Sequence, residues 1–381
     1  MQSNMENILL DSNAWLRRVT GVEKFHAAGY FGSRVMAGTG EKVNTKVYSA
    51  GGRIIPVLGD GTSEHAVQTA AVFFQVAPEA TLYSFSTNTS LAGGQKHWDF
   101  FSDCLPVIDE KRIANVFFSR VENDKTAREK HAAVLAERPW LKEFWAAGND
   151  GAGGYSKLLQ VEDAIGVGAA EVLRSNKVIG GPRVYPAGYT SQTELVDFAA
   201  PGNPGVNIRA TSQSDSAQIL AGTSFAAPWL CGMACLVDDF FLDRTGQALS
   251  RAAMVRFFKD HCQDIGKAGK DSQSGFGLVV LPEPEEIDIE KYVEVEQMTF
   301  TDQDKIAPWA KEAVEWCVEH GLMQGKGEAF DPLAPITRQE MAVILKRLGA
   351  TSQSADADSS PQGEPFRGEE FVRTRCCQRD V

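Results

Sequence analysis

The chain has 381 residues, and its 43% hydrophobic content is enough to bury the core of one large domain beside a smaller module. Its net charge of −12 argues against nucleic acid or an anionic membrane surface as a partner. The seven cysteines form no CxxC pair, so the sequence indicates neither a disulfide scaffold nor a zinc site. No apolar run predicts a transmembrane segment, and the first residues lack the basic and apolar regions of a signal peptide.

In chain order, apolar spacing predicts helices that alternate with short buried strands. The predicted helices cover residues 12–30, 64–75 and 125–137, and the predicted strands cover 35–37, 53–58, 81–85, 115–119, 144–147 and 164–168. Strands separated by helices indicate an α/β fold, with a parallel sheet covered by helices on both faces. In such a sheet the functional residues gather at the carboxyl ends of the strands.

The stretch Ala221-Gly-Thr-Ser224-Phe-Ala-Ala-Pro228 places a serine between small residues at the start of an apolar helix. Small neighbours allow a sharp turn, which exposes the Ser224 hydroxyl and leaves the Ser224 amide free to bind an anion. That geometry suits a nucleophile that attacks a carbonyl and then stabilises an oxyanion. A plain helix cap uses the same kinds of residue, so three or four of them alone would favour a cap.

The complete string Gly222-Thr-Ser-x-Ala-x-Pro228 resembles the nucleophile signature of the subtilisin-like (S8) serine peptidases. Other segments similar to this family extend the resemblance over residues 12–280, so we expect a peptidase domain at 1–280. The resemblance implies a subtilisin-like parallel sheet. It also implies a serine endopeptidase that cleaves peptide bonds through an acyl-enzyme on Ser224.

The resemblance also suggests a general base and an oxyanion donor. His65 opens a helix like the family's histidine helix, although the family's glycine and second histidine are Ala66 and Gln68 here. Asn149 follows a strand where the family carries an asparagine, whose amide contributes about 10²–10³ in kcat in a subtilisin. The alternatives are a structural histidine and an ordinary Gly-Asn-Asp-Gly turn.

The acidic member of the triad departs from the family's pattern. Aligned on Thr39-Gly40, the family's aspartate position is Gly38 in this chain. Glu41 and Asp60 are the candidates for an acid that orients His65, and another carboxylate or none at all stays open. Loss of the acid from such a triad lowers the rate by about 10⁴.

Substrate contacts are suggested by the strand that ends at Ser119, which is similar to the family's strand that pairs with the substrate backbone. Arg120 and Val121 stand where the family commonly has a glycine, and they are expected to narrow the pocket for the P1 side chain. Calcium is common in the family and is a candidate ion by resemblance. No loop with clustered acids identifies its ligands, so no metal ligand or other cofactor is predicted.

The C-terminal part begins with a predicted acidic linker, residues 281–296, and continues into a helical module, residues 297–348. Helices are predicted at 307–319 and 338–348, the second with a capping box. The step Ile336-Thr-Arg-Gln-Glu340 resembles an S-layer homology domain, which implies binding to cell-wall polysaccharide with Arg338 as an anion contact. The alternative is that Arg338 only braces the two helices. Residues 349–381 are polar and are predicted to be disordered.

Two hypotheses follow from the sequence. The first is an active serine endopeptidase that uses Ser224, His65 and Asn149. The second, favoured by Gly38, is an impaired or inactive peptidase scaffold that binds peptides or is anchored at a surface. The module predicts an extracellular or cell-wall location, whereas the lack of a visible signal peptide predicts a cytoplasmic one.

Overall fold

The computed structural model describes residues 8–48, 51–57, 59–85, 103–173, 183–203, 206–208, 218–293, 300–310, 313–314, 317–318, 322–323, 325 and 329–355. The chain divides into two compact units, Met1–Glu294 and Val295–Val381. The first unit is built on a large sheet covered by helices. The second unit is a small module with one long helix among its described residues.

The strands of the first unit are short. In chain order the described strands are β1 (Met36–Thr39), β2 (Arg53–Pro56), β3 (Thr81–Ser84), β4 (Asn115–Phe118), β5 (Lys142–Ala146), β6 (Ile165–Leu173), β7 (Arg183–Pro186), β8 (Phe198–Asn203), β9 (Val206–Ile208), β10 (Gln218–Leu220), β11 (Cys262–Gln263) and β12 (Leu278–Val279).

Within the described residues, ten strands form one sheet in the order β11, β12, β8, β6, β5, β4, β1, β3, β2, with β7 also paired to β6. All neighbours from β12 to β2 run parallel, whereas β11 and β7 are antiparallel to their partners. Strands β9 and β10 pair separately as an antiparallel ribbon. The mostly parallel sheet confirms the predicted α/β fold class.

The described α-helices are α1 (Ala14–Val19), α2 (Val22–Ala27), α3 (Glu64–Phe74), α4 (Leu105–Lys111), α5 (Lys125–Glu137), α6 (Thr223–Thr245), α7 (Arg251–Asp260) and, in the second unit, α8 (Arg338–Ala355). The predicted helix 12–30 is two helices, because Gly21 adopts φ +70° between α1 and α2. The predicted helix 125–137 coincides with α5. Its N-cap Asp124 accepts a hydrogen bond from the Ala127 amide at 2.8 Å.

Helices cover both faces of the sheet, so the central strands are buried on both sides. Successive residues of a strand point to opposite faces. Phe117 of β4 and Phe144 of β5 accordingly join one core cluster, whereas Phe118 and Trp145 join the other. On that second face the rings of Phe118 and Trp145 stack with their centroids 4.0 Å apart. Close packing on both faces of the sheet therefore holds the ends of the strands in fixed positions.

Helix α6 runs through the core of the first unit and is buried from Phe225 to Phe241. By length and composition it could cross a membrane, but 94% of its apolar window is buried inside the protein, as in a core helix. Gly232 allows a close approach, since a Cβ at this position would lie 2.7 Å from the Cβ of Val76. Burial of α6 holds its first turn at the edge of the sheet.

The first unit extends beyond the predicted domain end at residue 280. Leu281, Ile287 and Tyr292 are buried against its core, so the predicted linker 281–296 is partly packed rather than fully solvated. The Tyr292 hydroxyl also donates to Asp260 at 2.9 Å. Three apolar side chains among many acidic ones are enough to anchor this segment, because each buries a large area.

The second unit contains the predicted capping box of α8. The Thr337 amide donates to Glu340 Oε2 at 2.8 Å, and the Glu340 amide donates to Thr337 Oγ1 at 3.2 Å. The predicted helix 307–319 and the predicted tail 349–381 lie partly outside the described residues. Within them, Pro308–Ala310 forms a 3₁₀ turn, and α8 continues to Ala355.

A buried ion pair joins the sheet to α6. Lys142 of β5 and Asp238 of α6 are fully buried, with Nζ and Oδ2 3.0 Å apart. Asn115 Nδ2 donates to the same Oδ2 at 2.7 Å, and the Leu249 amide donates to Oδ1 at 3.1 Å. The carboxylate thus connects two strands, a helix and a loop through hydrogen bonds that water cannot replace.

We expect Asp238→Asn to lower the free energy of unfolding by about 3–5 kcal/mol, because the buried Lys142 ammonium loses its counter-charge. Urea unfolding followed by circular dichroism measures the change. The control Glu129→Gln removes the same kind of charge from the exposed pair with Lys125 and should leave stability unchanged. A small and equal effect of both substitutions would contradict the role of the buried pair.

Candidate active site

Several segments of the first unit meet at the carboxyl edge of the sheet. Strands β1, β4 and β5 lead into Glu41, Ser119 and Asn149. Helices α3 and α6 carry His65 and Ser224 as their second residues. The carboxyl ends of neighbouring parallel strands lie at one edge, which is why residues far apart in the sequence come together here.

Ser224 is half-buried and is presented by a sharp turn. Gly222 precedes α6 with φ +145° and ψ 157°, a conformation that residues with a side chain rarely adopt. Among the described residues the Ser224 amide has no hydrogen-bond acceptor, as is usual in the first turn of a helix. The amide can therefore donate to an anion that forms next to the Ser224 hydroxyl.

Pro228 changes the bonding of the Ser224 carbonyl. In a regular helix the amide of residue 228 would donate to this carbonyl, but proline has no N–H. The hydroxyl of the buried Ser119 donates to the carbonyl instead, at 2.7 Å. The end of β4 is thereby tied to the first turn of α6, and the Ser119 side chain serves this connection.

Asn149 is held at the same turn by Thr223. Asn149 Oδ1 accepts from the Thr223 amide at 2.9 Å and from the Thr223 hydroxyl at 3.0 Å. Because a backbone amide can only donate, Oδ1 must face Thr223, and Nδ2 remains a donor. Nδ2 lies 3.5 Å from where a Cβ on Gly222 would be. Asn149 Nδ2 and the Ser224 amide are thus two donors beside one turn.

His65 is paired with Glu41. His65 Nδ1 lies 2.9 Å from Glu41 Oε1 and 3.2 Å from Oε2, and the Glu41 side chain is only 16% exposed. The His65 ring also contacts Phe225, the residue after Ser224, with ring centroids 5.7 Å apart. A carboxylate at Nδ1 selects the tautomer in which Nε2 is unprotonated and can accept a proton.

A side chain at position 38, where the family has its aspartate, would collide with the Phe85 ring unless that ring moved. A Cβ on Gly38 would lie 2.5 Å from Phe85 Cε2 and 3.1 Å from Val116 Cγ2. The chain instead continues to Glu41, whose Oε2 accepts from the Thr69 hydroxyl at 3.3 Å. The longer glutamate side chain reaches His65 from a position three residues further along the chain.

Asp60, the other candidate acid, is occupied elsewhere. It is exposed, and its Oδ1 accepts hydrogen bonds from the amide of Thr45, at 3.1 Å, and from the Thr45 hydroxyl. These bonds hold the pKa of Asp60 below its ordinary value. Of the two acids that the sequence left open, the structure therefore brings only Glu41 into contact with His65.

Burial and the carboxylate act in opposite directions on His65. Burial of the ring disfavours the imidazolium, but the hydrogen bond and the charge of Glu41 outweigh this effect, so the pKa of His65 is raised above 6.5. The charged form of His65 is therefore stabilised where a proton has to be held during a reaction. The same carboxylate that orients the ring also supports its positive charge.

The segment after β4 is packed against the loop after β5. Arg120 forms an ion pair with Glu122 at 3.2 Å, and the Glu122 amide donates to the hydroxyl of the buried Ser156 at 3.0 Å. The Val121 side chain is 44% exposed, and its Cγ2 lies 3.6 Å from where a Cβ on Gly148 would be. Val121 is therefore exposed to solvent beside Gly148, where the two segments meet.

The arrangement brings together the Ser224 hydroxyl, a histidine with a carboxylate partner and two hydrogen-bond donors beside one turn. Within the described residues Ser224 and His65 are not hydrogen-bonded to each other. Such bonds are often longer in enzymes without substrate and shorten in the complex. The chemistry that these groups can perform is acyl transfer.

A calcium ion cannot be assigned to particular ligands. The described part of the chain holds no group of three or more His, Cys, Asp or Glu side chains arranged around one point.

The fold is a mostly parallel α/β sheet, and a serine, a histidine paired with a carboxylate and an asparagine lie at its carboxyl edge. The model of the subtilase family matches residues 66–277, and the model of the S-layer homology domain matches residues 299–342. The chain belongs to the subtilase family of serine peptidases and carries an S-layer homology domain. The subtilase match contains Asn149 and Ser224 but begins one residue after His65, so it says nothing about His65 or Glu41.

Solved structures of proteases share the fold. A lanthipeptide protease has a TM-score of 0.53 and 17% identity, over 71% of this chain and 93% of its own. The prenylagaramide maturation protease PagA has a TM-score of 0.56 and 16% identity, over 71% of this chain and 98% of its own. Fervidolysin from Fervidobacterium pennivorans has a TM-score of 0.54 and 17% identity, over 74% of this chain and 47% of its own. No curated protein sequence matches the chain significantly.

We expect Glu41→Gln to lower the pKa of His65, because it removes the charge that raises this pKa while the burial of the ring remains. An NMR titration of the imidazole signals measures the change. The control Asp60→Asn alters a carboxylate that bonds Thr45 and should leave the His65 titration unchanged. A shift in Asp60→Asn with none in Glu41→Gln would reverse the assignment of the partner.

Proposed function

We propose that the protein is a serine endopeptidase in which Ser224 is the nucleophile, His65 the general base and Glu41 the orienting acid. Asn149 and the Ser224 amide form the oxyanion hole. The observation that carries the proposal is the 2.9 Å contact between His65 Nδ1 and Glu41 Oε1, next to the first turn of α6. It favours an active enzyme over an impaired scaffold, because a carboxylate is present although position 38 is glycine.

The first half of the reaction forms the acyl-enzyme. Ser224 Oγ attacks the carbonyl carbon of the scissile peptide bond, and His65 Nε2 takes the hydroxyl proton. The carbonyl oxygen becomes an oxyanion that accepts from Asn149 Nδ2 and the Ser224 amide. Collapse of this intermediate breaks the C–N bond, and His65 gives its proton to the leaving amine.

The second half releases the acid product. A water molecule gives a proton to His65 Nε2 and attacks the acyl carbon, which forms a second oxyanion at the same donors. The C–O bond to Ser224 then breaks, and the proton returns to Ser224 Oγ. Glu41 stays ionised throughout, keeps His65 in the productive tautomer and stabilises the imidazolium twice in each cycle.

The substrate is a peptide or protein segment in extended conformation. The backbone at the end of β4 could pair with it as an added strand, so binding would depend little on substrate side chains. The Ser119 side chain is turned to the Ser224 carbonyl, which leaves only the backbone of this residue for substrate. We propose that Val121, which is exposed beside Gly148, restricts P1 to small side chains.

Attachment to a cell surface is proposed for the second unit. Its helix α8 begins with the exposed Arg338. The next residues of the helix, Gln339 and Glu340, line a mostly apolar cavity of about 430 Å³ together with Phe330 and Asp331, and Arg338 lies outside this lining. An aromatic ring beside polar groups suits a sugar ring, and a guanidinium suits an anionic substituent of a cell-wall polysaccharide. An extracellular or wall-bound location follows from this proposal.

Labelling with a fluorophosphonate probe tests the enzyme directly. We expect the wild-type chain to be labelled, Ser224→Ala to be unlabelled, and His65→Ala to be labelled far more slowly, because the hydroxyl then lacks its base. Circular dichroism confirms that each variant is folded. A folded wild-type chain that is neither labelled nor active on unstructured protein substrates would overturn the proposal in favour of the scaffold hypothesis.

We expect Glu41→Gln to lower kcat by about 10²–10⁴, because it removes the negative charge that stabilises the imidazolium. The acid limb of the kcat/KM profile should also move to lower pH, since the pKa of His65 falls and its neutral form persists further. Steady-state kinetics between pH 5 and pH 9 measure both effects. Asp60→Asn is the matched control and should behave as wild type; a large loss there would contradict the assignment.

We expect Arg338→Gln to weaken binding of the full chain to purified cell-wall polysaccharide by about 10-fold, because a charge-assisted hydrogen bond is lost. Co-sedimentation at several salt concentrations measures the affinity and its electrostatic part. Lys346→Gln, at another exposed position on the same helix, is the control and should bind as wild type. Equal binding by the wild type and both variants would indicate that Arg338 only braces the two helices of the module and does not contact the polysaccharide.

A further inference from the structure

The loop that carries Asn149 is held by the segment Tyr189–Gln192 through four hydrogen bonds. The Ser191 amide donates to the Gly148 carbonyl at 3.0 Å, and the Gly151 amide donates to the Tyr189 carbonyl at 2.9 Å. The Gln192 amide donates to the Gly151 carbonyl at 2.8 Å. The Asp150 amide donates to Ser191 Oγ at 3.2 Å. Both sides of Asn149 are therefore fixed to one neighbouring segment.

That segment is itself anchored to the sheet. The Thr190 hydroxyl accepts from the amide of Ala169 in β6 at 3.1 Å, and the Ala187 amide donates to the Ala169 carbonyl at 2.8 Å. Thr190 is fully buried. The segment Tyr189–Gln192 is therefore bonded to β6 on one side and to the Asn149 loop on the other, through backbone groups and the hydroxyls of Thr190 and Ser191.

The side chain of Tyr189 reaches the other half of the oxyanion hole. Its hydroxyl donates to the Gly202 carbonyl at 2.6 Å. The same carbonyl accepts from the amide of Gly222, the residue that sets the turn before Ser224, at 3.0 Å. The Tyr189 backbone is therefore bonded to the loop that carries Asn149. The Tyr189 hydroxyl is bonded to the Gly202 carbonyl, which holds the turn before Ser224.

We propose that Tyr189 is a positioning residue that sets the spacing between the two oxyanion donors, Asn149 Nδ2 and the Ser224 amide. An oxyanion hole is effective only when both donors already lie where the charge will develop. Thr223 bonds Asn149 directly and is the residue before Ser224. Tyr189 bonds the loop that carries Asn149 and also the Gly202 carbonyl, which holds Gly222. This inference rests on the proposed peptidase function of the same site.

The hydroxyl of Tyr189 stays protonated over the working range of the enzyme. Burial raises its pKa to about 12, against a smaller opposing effect of the Gly222 amide. The hydroxyl contacts the backbone groups of Gly202 and Gly222, and the charge of Glu171 also raises its pKa. The contribution of Tyr189 should therefore not vary with pH between 6 and 10, unlike that of His65.

Tyr189→Phe tests the inference, because it removes the hydroxyl and keeps the ring. We expect kcat per titrated active site to fall about 3- to 10-fold with KM unchanged, since the oxyanion exists only after binding. Affinity for a peptide aldehyde, whose adduct places an oxyanion in the hole, should fall by the same factor. Affinity for the non-covalent product peptide should stay the same, and the loss should be equal at pH 6 and pH 9.

Tyr185→Phe, an exposed tyrosine four residues earlier, is the matched control and should match wild type. A Tyr189→Phe variant that only melts at a lower temperature, with kcat per active site and aldehyde affinity unchanged, would overturn the inference. Amide hydrogen exchange provides a readout that needs no activity: exchange at Gly222 should become faster in Tyr189→Phe. An inactive wild-type chain would contradict the proposed peptidase function. Unchanged amide exchange at Gly222 in Tyr189→Phe would contradict the role proposed for Tyr189.

Discussion

The active-site geometry depends on one constraint, the burial of α6 under the sheet. The helix is apolar along most of its length and buried from Phe225 to Phe241, so its axis cannot shift without exposing a large hydrophobic surface. Its buried Asp238 is also paired with Lys142 of β5. With the helix fixed, its first turn has one position at the carboxyl edge of the sheet, and the groups around Ser224 are arranged about that turn.

Each group around this turn is held in place by a hydrogen bond from a neighbouring residue that takes no part in the proposed reaction. Thr223 sets the orientation of the Asn149 amide, and Ser119 occupies the carbonyl that Pro228 leaves without a helical partner. Ser84 donates to the backbone carbonyl of Glu41 at 3.0 Å and so places the start of its side chain. Because each of these contacts joins two separate secondary-structure elements, the site depends on the relative position of the strands and not on one loop.

The proposed orienting acid, Glu41, illustrates how a carboxylate partner for His65 can come from a different chain position when position 38 is needed for packing. Phe85 fills the space that a side chain at position 38 would need, which extends the second core cluster at this end of the sheet. The carboxylate moves to Glu41, where one more methylene and a different backbone origin bring its oxygens to His65. The requirement at His65 is for a charge at a given distance from Nδ1, and more than one residue position can meet it.

The sequence by itself determined the α/β class, the family, the order of the first six strands and of several helices, and the identities of Ser224, His65 and Asn149 as candidates. These follow from local patterns: apolar periodicity, small residues around a serine, and a glycine-asparagine turn after a strand. Only the tertiary structure brings Glu41, and not Asp60, into contact with His65, because this contact depends on how β1, α3 and the loop before α3 pack together. It likewise decided that the segment with Ile287 and Tyr292 packs against the first unit, since three buried side chains outweigh many exposed acids. The hydrogen bonds of Tyr189 have no signal in the sequence, because both their partners are backbone carbonyl and amide groups that any residue carries.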